Sequence, residues 1–172
     1  MATPTPQDLM AEVKTAWAGL DAPPPADMAI MNWEYGEDAV VAFVGVRPVD
    51  VDIDSAGFRV ATPLLELPAH AAAAYLGPYL VSILRGFQIQ EEVGFPIEIK
   101  TLSHTIYALA SPGFWTDIAS PHLNDACVSA LGRVARFVIE HGDAFLVSKE
   151  ETRGLERLVR SVDRRLKPSG SH

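Results

Sequence analysis

Three acidic residues in alternate positions, Asp50, Asp52 and Asp54, have the spacing with which a calcium-binding loop begins. An EF-hand loop also needs a glycine at its sixth position and a glutamate at its twelfth, but this chain has Ser55 and Ala61 there. The calcium pattern is therefore incomplete, and we predict no metal site. Two other uses of these carboxylates stay open: they protect the edge of an exposed strand, or they form an acidic patch that binds another protein.

A second candidate site joins two aromatic residues to three acidic ones between positions 33 and 38. Tryptophan and tyrosine are frequent anchors of protein interfaces, and neighbouring carboxylates favour a basic partner. An ordinary loop that is held in place by its aromatic residues is the alternative. We predict a partner-binding surface that combines this segment with the three alternating aspartates: Trp33, Glu34, Tyr35, Glu37, Asp38, Asp50, Asp52 and Asp54.

Familiar catalytic motifs are missing from the sequence. It has no Gly-x-Ser-x-Gly elbow, no glycine-rich phosphate loop and no pair of histidines at metal-binding spacing. The single cysteine, Cys127, lies on the apolar face of a predicted helix, where thiols are usually unreactive. We predict a protein that is not an enzyme and needs no cofactor. The alternative is an enzyme or small-ligand-binding protein whose pocket combines distant residues, with His104, Tyr107 and His122 as first candidates.

The charge of the chain is acidic and unevenly distributed. The net charge is −8, and residues 1–100 contain 14 acidic and 5 basic residues. Such a surface repels phosphate backbones and attracts basic proteins, so we predict a protein partner and no nucleic acid. Near the C-terminus we interpret a basic stripe as a solvated helix face with local ion pairs, formed by Arg157, Arg160, Arg164 and Arg165 with Glu150, Glu151 and Glu156.

Nothing in the sequence indicates export or insertion into a membrane. The N-terminal residues lack the basic start and apolar run of a secretory signal. The longest apolar stretch, residues 69–84, is interrupted by polar residues, glycine and proline, and it is shorter than the ~18–20 residues of a membrane span. We therefore predict a cytoplasmic protein that does not associate with a membrane.

The periodicity of apolar residues predicts a mainly α, single globular domain over residues 1–167. Residues 168–172 are predicted to be a disordered tail, with a sequence typical of a cloning remnant. The β-branched content of residues 28–60 and 97–109 also permits short strands, which makes an α+β fold the alternative. Strand and helix both stay open for residues 37–60.

Several helix ends are marked by particular residues. Thr5 and Ser148 are predicted to begin the first and last helices, Ser148 through a capping box. A helix over Pro68–Arg85 is expected to kink or split at Gly77-Pro78. A long helix is expected to begin at Ser120-Pro121 and to end at His141-Gly142, where the glycine would adopt a left-handed conformation.

Three sequence motifs follow one another in the middle of the chain: Glu37-Asp38, then Phe43-Val44-Gly45, then Leu67-Pro68-Ala69-His70 leading to Tyr75-Leu76-Gly77-Pro78-Tyr79-Leu80. Over roughly residues 30–145 this order resembles a family of small bacterial proteins of unknown function. Two departures from the family pattern are the insertion of Gly77 before the proline and the replacement of a common tryptophan by Val46-Arg47-Pro48.

Members of that family are discussed as candidate immunity proteins, which neutralise antibacterial toxins made by the same cell or its kin. The resemblance implies a protein that binds and occludes a toxin, and the acidic character of this chain suits a basic toxin domain. The function that we predict is therefore that of an immunity protein, which acts through the acidic and aromatic surface defined above.

Overall fold

The computed structural model describes residues 4–94 and 100–167, and over these ranges the regular structure is helical. The prediction of a mainly α chain is confirmed. Short 3-10 turns at Pro25–Met28, Pro48–Asp50 and Pro63–Leu65 and a π-helix at Phe114–Ala119 connect the α-helices. The α-helices are α1 (Pro6–Trp17), α2 (Ile30–Glu34), α3 (Gly36–Phe43), α4 (Ala56–Val60), α5 (Ala69–Val93), α6 (Lys100–Ala110), α7 (Ser120–His122), α8 (Asp125–Glu140) and α9 (Lys149–Leu166).

The longest helix, α5, lies at the centre of the core, and α1 and α6 pack against it. A kink or a split was expected at Gly77-Pro78, and the split does not occur, although an internal proline costs a helix about 3 kcal/mol. Packing against α1 opposes that cost. The ring of Trp17 lies directly on Gly77, where an added Cβ would be 2.6 Å from the ring, and its Nε1 donates to the carbonyl oxygen of Ala73 at 3.2 Å.

The short strands that the sequence permitted in residues 28–60 and 97–109 are not found where the structure describes these ranges. Residues 28–60 form α2, α3 and α4 with intervening turns, and Thr105–Leu109 lies within α6. Residues 97–99 lie outside the described ranges. The alternating segment Val49–Asp54 is a 3-10 turn followed by a turn in which Asp52 accepts from the Asp54 amide at 3.0 Å. Apolar residues of these segments pack on other helices, so tertiary context outweighs β-propensity.

The predicted helix ends are partly confirmed. Thr5 and Ser148 cap α1 and α9, each through a capping box. The predicted start at Ser120 is wrong, because the backbone is extended at Leu123 and separates the short α7 from α8. Asn124 caps α8 instead, and its side chain accepts from the Cys127 amide at 2.9 Å. The left-handed glycine expected at position 142 is also wrong, since position 142 is not among the described residues with positive φ.

An aromatic cluster holds α3 and α4 against α5. The rings of Phe58 and Tyr79 stack with centroids 4.8 Å apart, and Phe43 meets Tyr75 edge-on at 5.3 Å. The hydroxyl of Tyr75 lies 2.6 Å from the carbonyl oxygen of Phe43, the last residue of α3, and 2.8 Å from that of Val46, three residues beyond. These contacts fix the position of the helices that carry the predicted binding residues.

Candidate functional site

The predicted aromatic and acidic segment forms two short helices, α2 and α3, which we call the acidic helix pair. Gly36, with a φ of 79°, provides the left-handed turn between them. Met31 and Ala39 face the core, so the opposite side of the pair is exposed. The indole of Trp33 is 85% exposed, and the carboxylate residues Glu34, Glu37 and Asp38 are exposed as well.

Tyr35 is oriented differently from the other residues of the pair. Its side chain is partly buried, and its hydroxyl donates to Glu66 Oε2 at 2.5 Å. Burial, the hydrogen bond to Glu66 and the nearby negative charges raise the pKa of Tyr35 well above its ordinary value. The phenol is therefore protonated at neutral pH and acts as a donor. The prediction placed Tyr35 among the partner-binding residues, and the structure places it in the wall of an adjacent cleft.

The three alternating aspartates are exposed, but they occupy a turn and do not line the edge of a strand. Asp50 pairs with Arg47 and Asp54 pairs with Arg59, each at 3.5 Å. The carboxylate of Asp52 accepts a hydrogen bond from the Asp54 amide within the turn. Among the described residues no group of three or more His, Cys, Asp or Glu side chains is arranged to hold a metal ion.

The contact between α3 and α4 brings part of this turn next to the acidic helix pair. Gly57 in α4 lies against the backbone of Asp38, so close that an added Cβ would be 2.0 Å from the carbonyl oxygen. Asp54 lies two residues before the start of α4, the helix that packs against α3. Arg47, the partner of Asp50, also donates to the carbonyl oxygen of Ala18, so this pair lies near the C-terminal end of α1.

A cleft of about 560 Å³ opens beside the acidic helix pair, and we call it the histidine cleft. Within it, His104 Nδ1 lies 2.9 Å from Thr62 Oγ1, and the carboxylate of Glu66 accepts a hydrogen bond from the hydroxyl of Tyr35. Tyr107 is 61% exposed at the rim. The lining combines α4, α6 and the turn after α4, and it includes Tyr35, Arg59, Val60, Thr62, Leu65, Glu66, His104 and Tyr107.

Two of the three residues expected for a catalytic or ligand pocket, His104 and Tyr107, thus share a cleft with a carboxylate. The third, His122, does not line this cleft and lies beside His70, with the two ring centroids 6.2 Å apart. His70 in turn pairs with Asp27 at 2.7 Å. The histidine cleft offers a neutral phenol donor, a carboxylate and an imidazole, which suit polar binding and proton exchange.

Two important residues of the cleft, Arg59 and Glu66, were not singled out by sequence reasoning. They are separated from His104 by about 40 residues of chain, and no motif links such distant positions. The one available signal was charge. Residues 21–66 contain nine acidic and two basic residues, which marks this whole region as the anionic side of the molecule.

No helix within residues 4–94 and 100–167 is long and apolar enough to cross a membrane. No protein-family model, curated protein or solved structure matches this chain.

Proposed function

We propose that this chain is a protein-binding inhibitor, a cytoplasmic immunity protein that covers the basic surface of a toxin domain. The observation that carries the proposal is Trp33, a tryptophan that is 85% exposed and followed in sequence by the exposed carboxylates of Glu34, Glu37 and Asp38. The resemblance to candidate immunity proteins directs the choice of partner class.

The exposure of Trp33 is unusual because a large aromatic side chain gains free energy when it is removed from water. Burying such a ring removes about 150–250 Å² from water, at about 25 cal/mol per Å². Further apolar surface lies at the rim of the neighbouring histidine cleft, where Val60, Leu65 and Tyr107 are all exposed. This combination of apolar anchors with surrounding charge is typical of a docking surface.

The charges around these anchors favour a basic partner. Glu34, Glu37 and Asp38 have no cationic partner among the described residues, whereas Asp50 and Asp54 are each offset by an arginine. Unpaired carboxylates accelerate encounter with a cationic surface and disfavour acidic competitors. The acidic helix pair would therefore carry most of the steering, and the predicted contribution of the aspartate turn is smaller.

The test compares two triple variants that remove the same charge. One carries Glu34→Gln, Glu37→Gln and Asp38→Asn on the acidic helix pair. The control carries Glu91→Gln, Glu92→Gln and Glu140→Gln, at exposed positions on other helices. Each variant and the wild-type protein would be used to capture partners from a native lysate at low and at raised salt. The captured protein would then be purified for affinity measurement and expressed in cells with and without the wild-type chain.

The proposal predicts a basic partner that is lost at raised salt and by the first triple variant, and is retained by the control. Trp33→Ala should weaken its binding by about 2 kcal/mol or more, the loss expected for an interface hot spot. Co-expression of the wild-type chain should relieve the toxicity of the partner. Equal capture by both triple variants would contradict the proposed surface, and a captured partner without toxicity would contradict the immunity role.

A second candidate function, an enzyme or small-ligand-binding protein, is favoured by the grouping of His104, Tyr107 and Glu66 in one cleft. The volume of about 560 Å³ is within the range of about 300–1,000 Å³ that small-molecule sites occupy. A metabolite that raises the melting temperature of the wild-type protein and of His122→Ala, but not of His104→Ala or Glu66→Gln, would support this candidate. A metabolite that stabilises all four proteins equally would exclude the histidine cleft as its site.

A further inference from the structure

The arginine stripe of α9 is not arranged as the sequence suggested. Local pairs with neighbouring glutamates were expected, but the ion pairs of this helix join Asp163 to Arg136 and Arg165 to Asp125, both on α8. Glu151 is instead engaged in the capping box at Ser148. The side chains of Arg157, Arg160 and Arg164 have no carboxylate partner within the described part of the chain.

These three arginines line a cleft of about 750 Å³ between α9, the π-helix and the end of α6, which we call the arginine cleft. No acidic residue contributes to its lining. The lining also includes Ser111, whose hydroxyl donates to the carbonyl oxygen of Tyr107, and Ser161, whose hydroxyl accepts from Arg164 Nη2 at 3.1 Å. Pro112 and Trp115 form an apolar wall. The cleft thus combines several positive charges with one aromatic surface.

Two close contacts hold the walls of the arginine cleft in place. Gly154 lies on the end of α6, where an added Cβ would be 2.3 Å from the carbonyl oxygen of Ala110. Arg165 connects α9 to the segment after the π-helix, because it donates to the carbonyl oxygens of Ser120 at 2.9 Å and Leu123 at 2.7 Å. The walls are therefore preorganised, which lowers the cost of ordering them around a ligand.

The geometry points to a binding site for a nucleoside polyphosphate, with the phosphates on Arg157, Arg160 and Arg164 and the base against Trp115. Arginine guanidinium groups bind phosphate oxygens in bidentate fashion and retain their charge at any accessible pH. Aromatic side chains offer a surface on which a base stacks. A small anion suits the site better than a long nucleic acid, because the rest of the molecule is acidic and repels an extended phosphate backbone.

Isothermal titration calorimetry of the whole chain tests this assignment with four probes: ATP, tripolyphosphate, adenosine and a short single-stranded oligonucleotide. The cleft variant is Arg157→Gln with Arg160→Gln, and both arginines are exposed and unpaired. The matched control is Lys149→Gln with Arg153→Gln, which removes the same charge from exposed positions of α9 outside the cleft. Far-UV circular dichroism of both double variants checks that the fold is retained.

We expect ATP to bind more tightly than tripolyphosphate and adenosine not to bind. The cleft variant should weaken ATP binding by about tenfold or more per arginine, and the control should change it by less than about twofold. Raised salt should weaken binding. Equal loss in both double variants, or no binding of ATP, would overturn the site. Equal affinity for ATP and tripolyphosphate would overturn the role of Trp115, and preference for the oligonucleotide would overturn the small-ligand assignment.

Discussion

Replacement of Gly57 by alanine should force α4 away from α3 and disturb the acidic helix pair. An added Cβ would lie 2.0 Å from the carbonyl oxygen of Asp38, 2.5 Å from its carbonyl carbon and 3.0 Å from the Cβ of Ala42. Carbon and oxygen atoms that are not bonded to each other approach to about 3.3 Å, so the shortfall is about 1.3 Å. Because the two nearest atoms belong to the backbone, no side-chain rotation relieves the clash.

The magnitude follows from two opposing effects. Alanine favours a helix over glycine by about 1 kcal/mol, whereas an extra carbon in a packed interface costs about 1–3 kcal/mol. With a shortfall above 1 Å the clash should dominate, and we expect the free energy of unfolding to fall by about 1–2 kcal/mol. Gly19→Ala is the control, because no atom lies within 4 Å of its added Cβ and its φ is not positive.

Urea denaturation followed by circular dichroism measures both variants. Gly19→Ala should leave the free energy of unfolding unchanged or raise it by up to about 1 kcal/mol. If Gly57→Ala were as stable as Gly19→Ala, the close approach of α4 to Asp38 would be wrong. A captured protein partner should also bind Gly57→Ala more weakly than Gly19→Ala, because the backbone at Asp38 has to move.

Three further predictions concern single side chains. Tyr75→Phe should lower the free energy of unfolding by about 1–2 kcal/mol, because the carbonyl oxygens of Phe43 and Val46 lose their hydrogen-bond donor. An unchanged midpoint of urea denaturation would contradict these two hydrogen bonds. Burial raises the pKa of the Cys127 thiol to about 11 from 9.0, so the thiolate fraction at about pH 8 falls from about a tenth to about a thousandth. Iodoacetamide should therefore alkylate the native protein slowly and the urea-unfolded protein fast, and equal rates would refute the burial of this thiol. Ser148→Ala should cost about 1 kcal/mol of stability and Ser148→Asn much less, as measured by thermal unfolding, because asparagine also caps a helix.

The beginnings of α1 and α9 could be predicted because their signals are local. The caps at Thr5 and Ser148 each involve a residue three positions further along, so the interaction is complete within one turn. The predicted start of α8 at Ser120 failed because an equally plausible cap, Asn124, follows four residues later. Local signals of similar strength compete, and packing decides between them.

The candidate site could be predicted in composition and only partly in arrangement. Exposed carboxylates at Glu34, Glu37 and Asp38 agree with the predicted acidic surface, since charged residues are rarely buried without a partner. The direction of Tyr35 could not be predicted, because its hydrogen bond to Glu66 joins residues 31 positions apart. The position of Asp50 could not be predicted either. It pairs with Arg47, and Arg47 donates to the carbonyl oxygen of Ala18, a residue 29 positions away in the chain.

The sequence by itself determined the mainly helical character and the presence of an acidic region, whereas the exposure of Trp33 was decided by the tertiary structure. The first two properties arise from composition, capping and periodicity, which act within a few residues. Only the tertiary structure decided which side chains share a cleft. His104 and Glu66 line one cleft, and Trp115, Arg157 and Arg160 line another, because particular faces of distant helices pack together. The free energy of that packing is a property of the whole core.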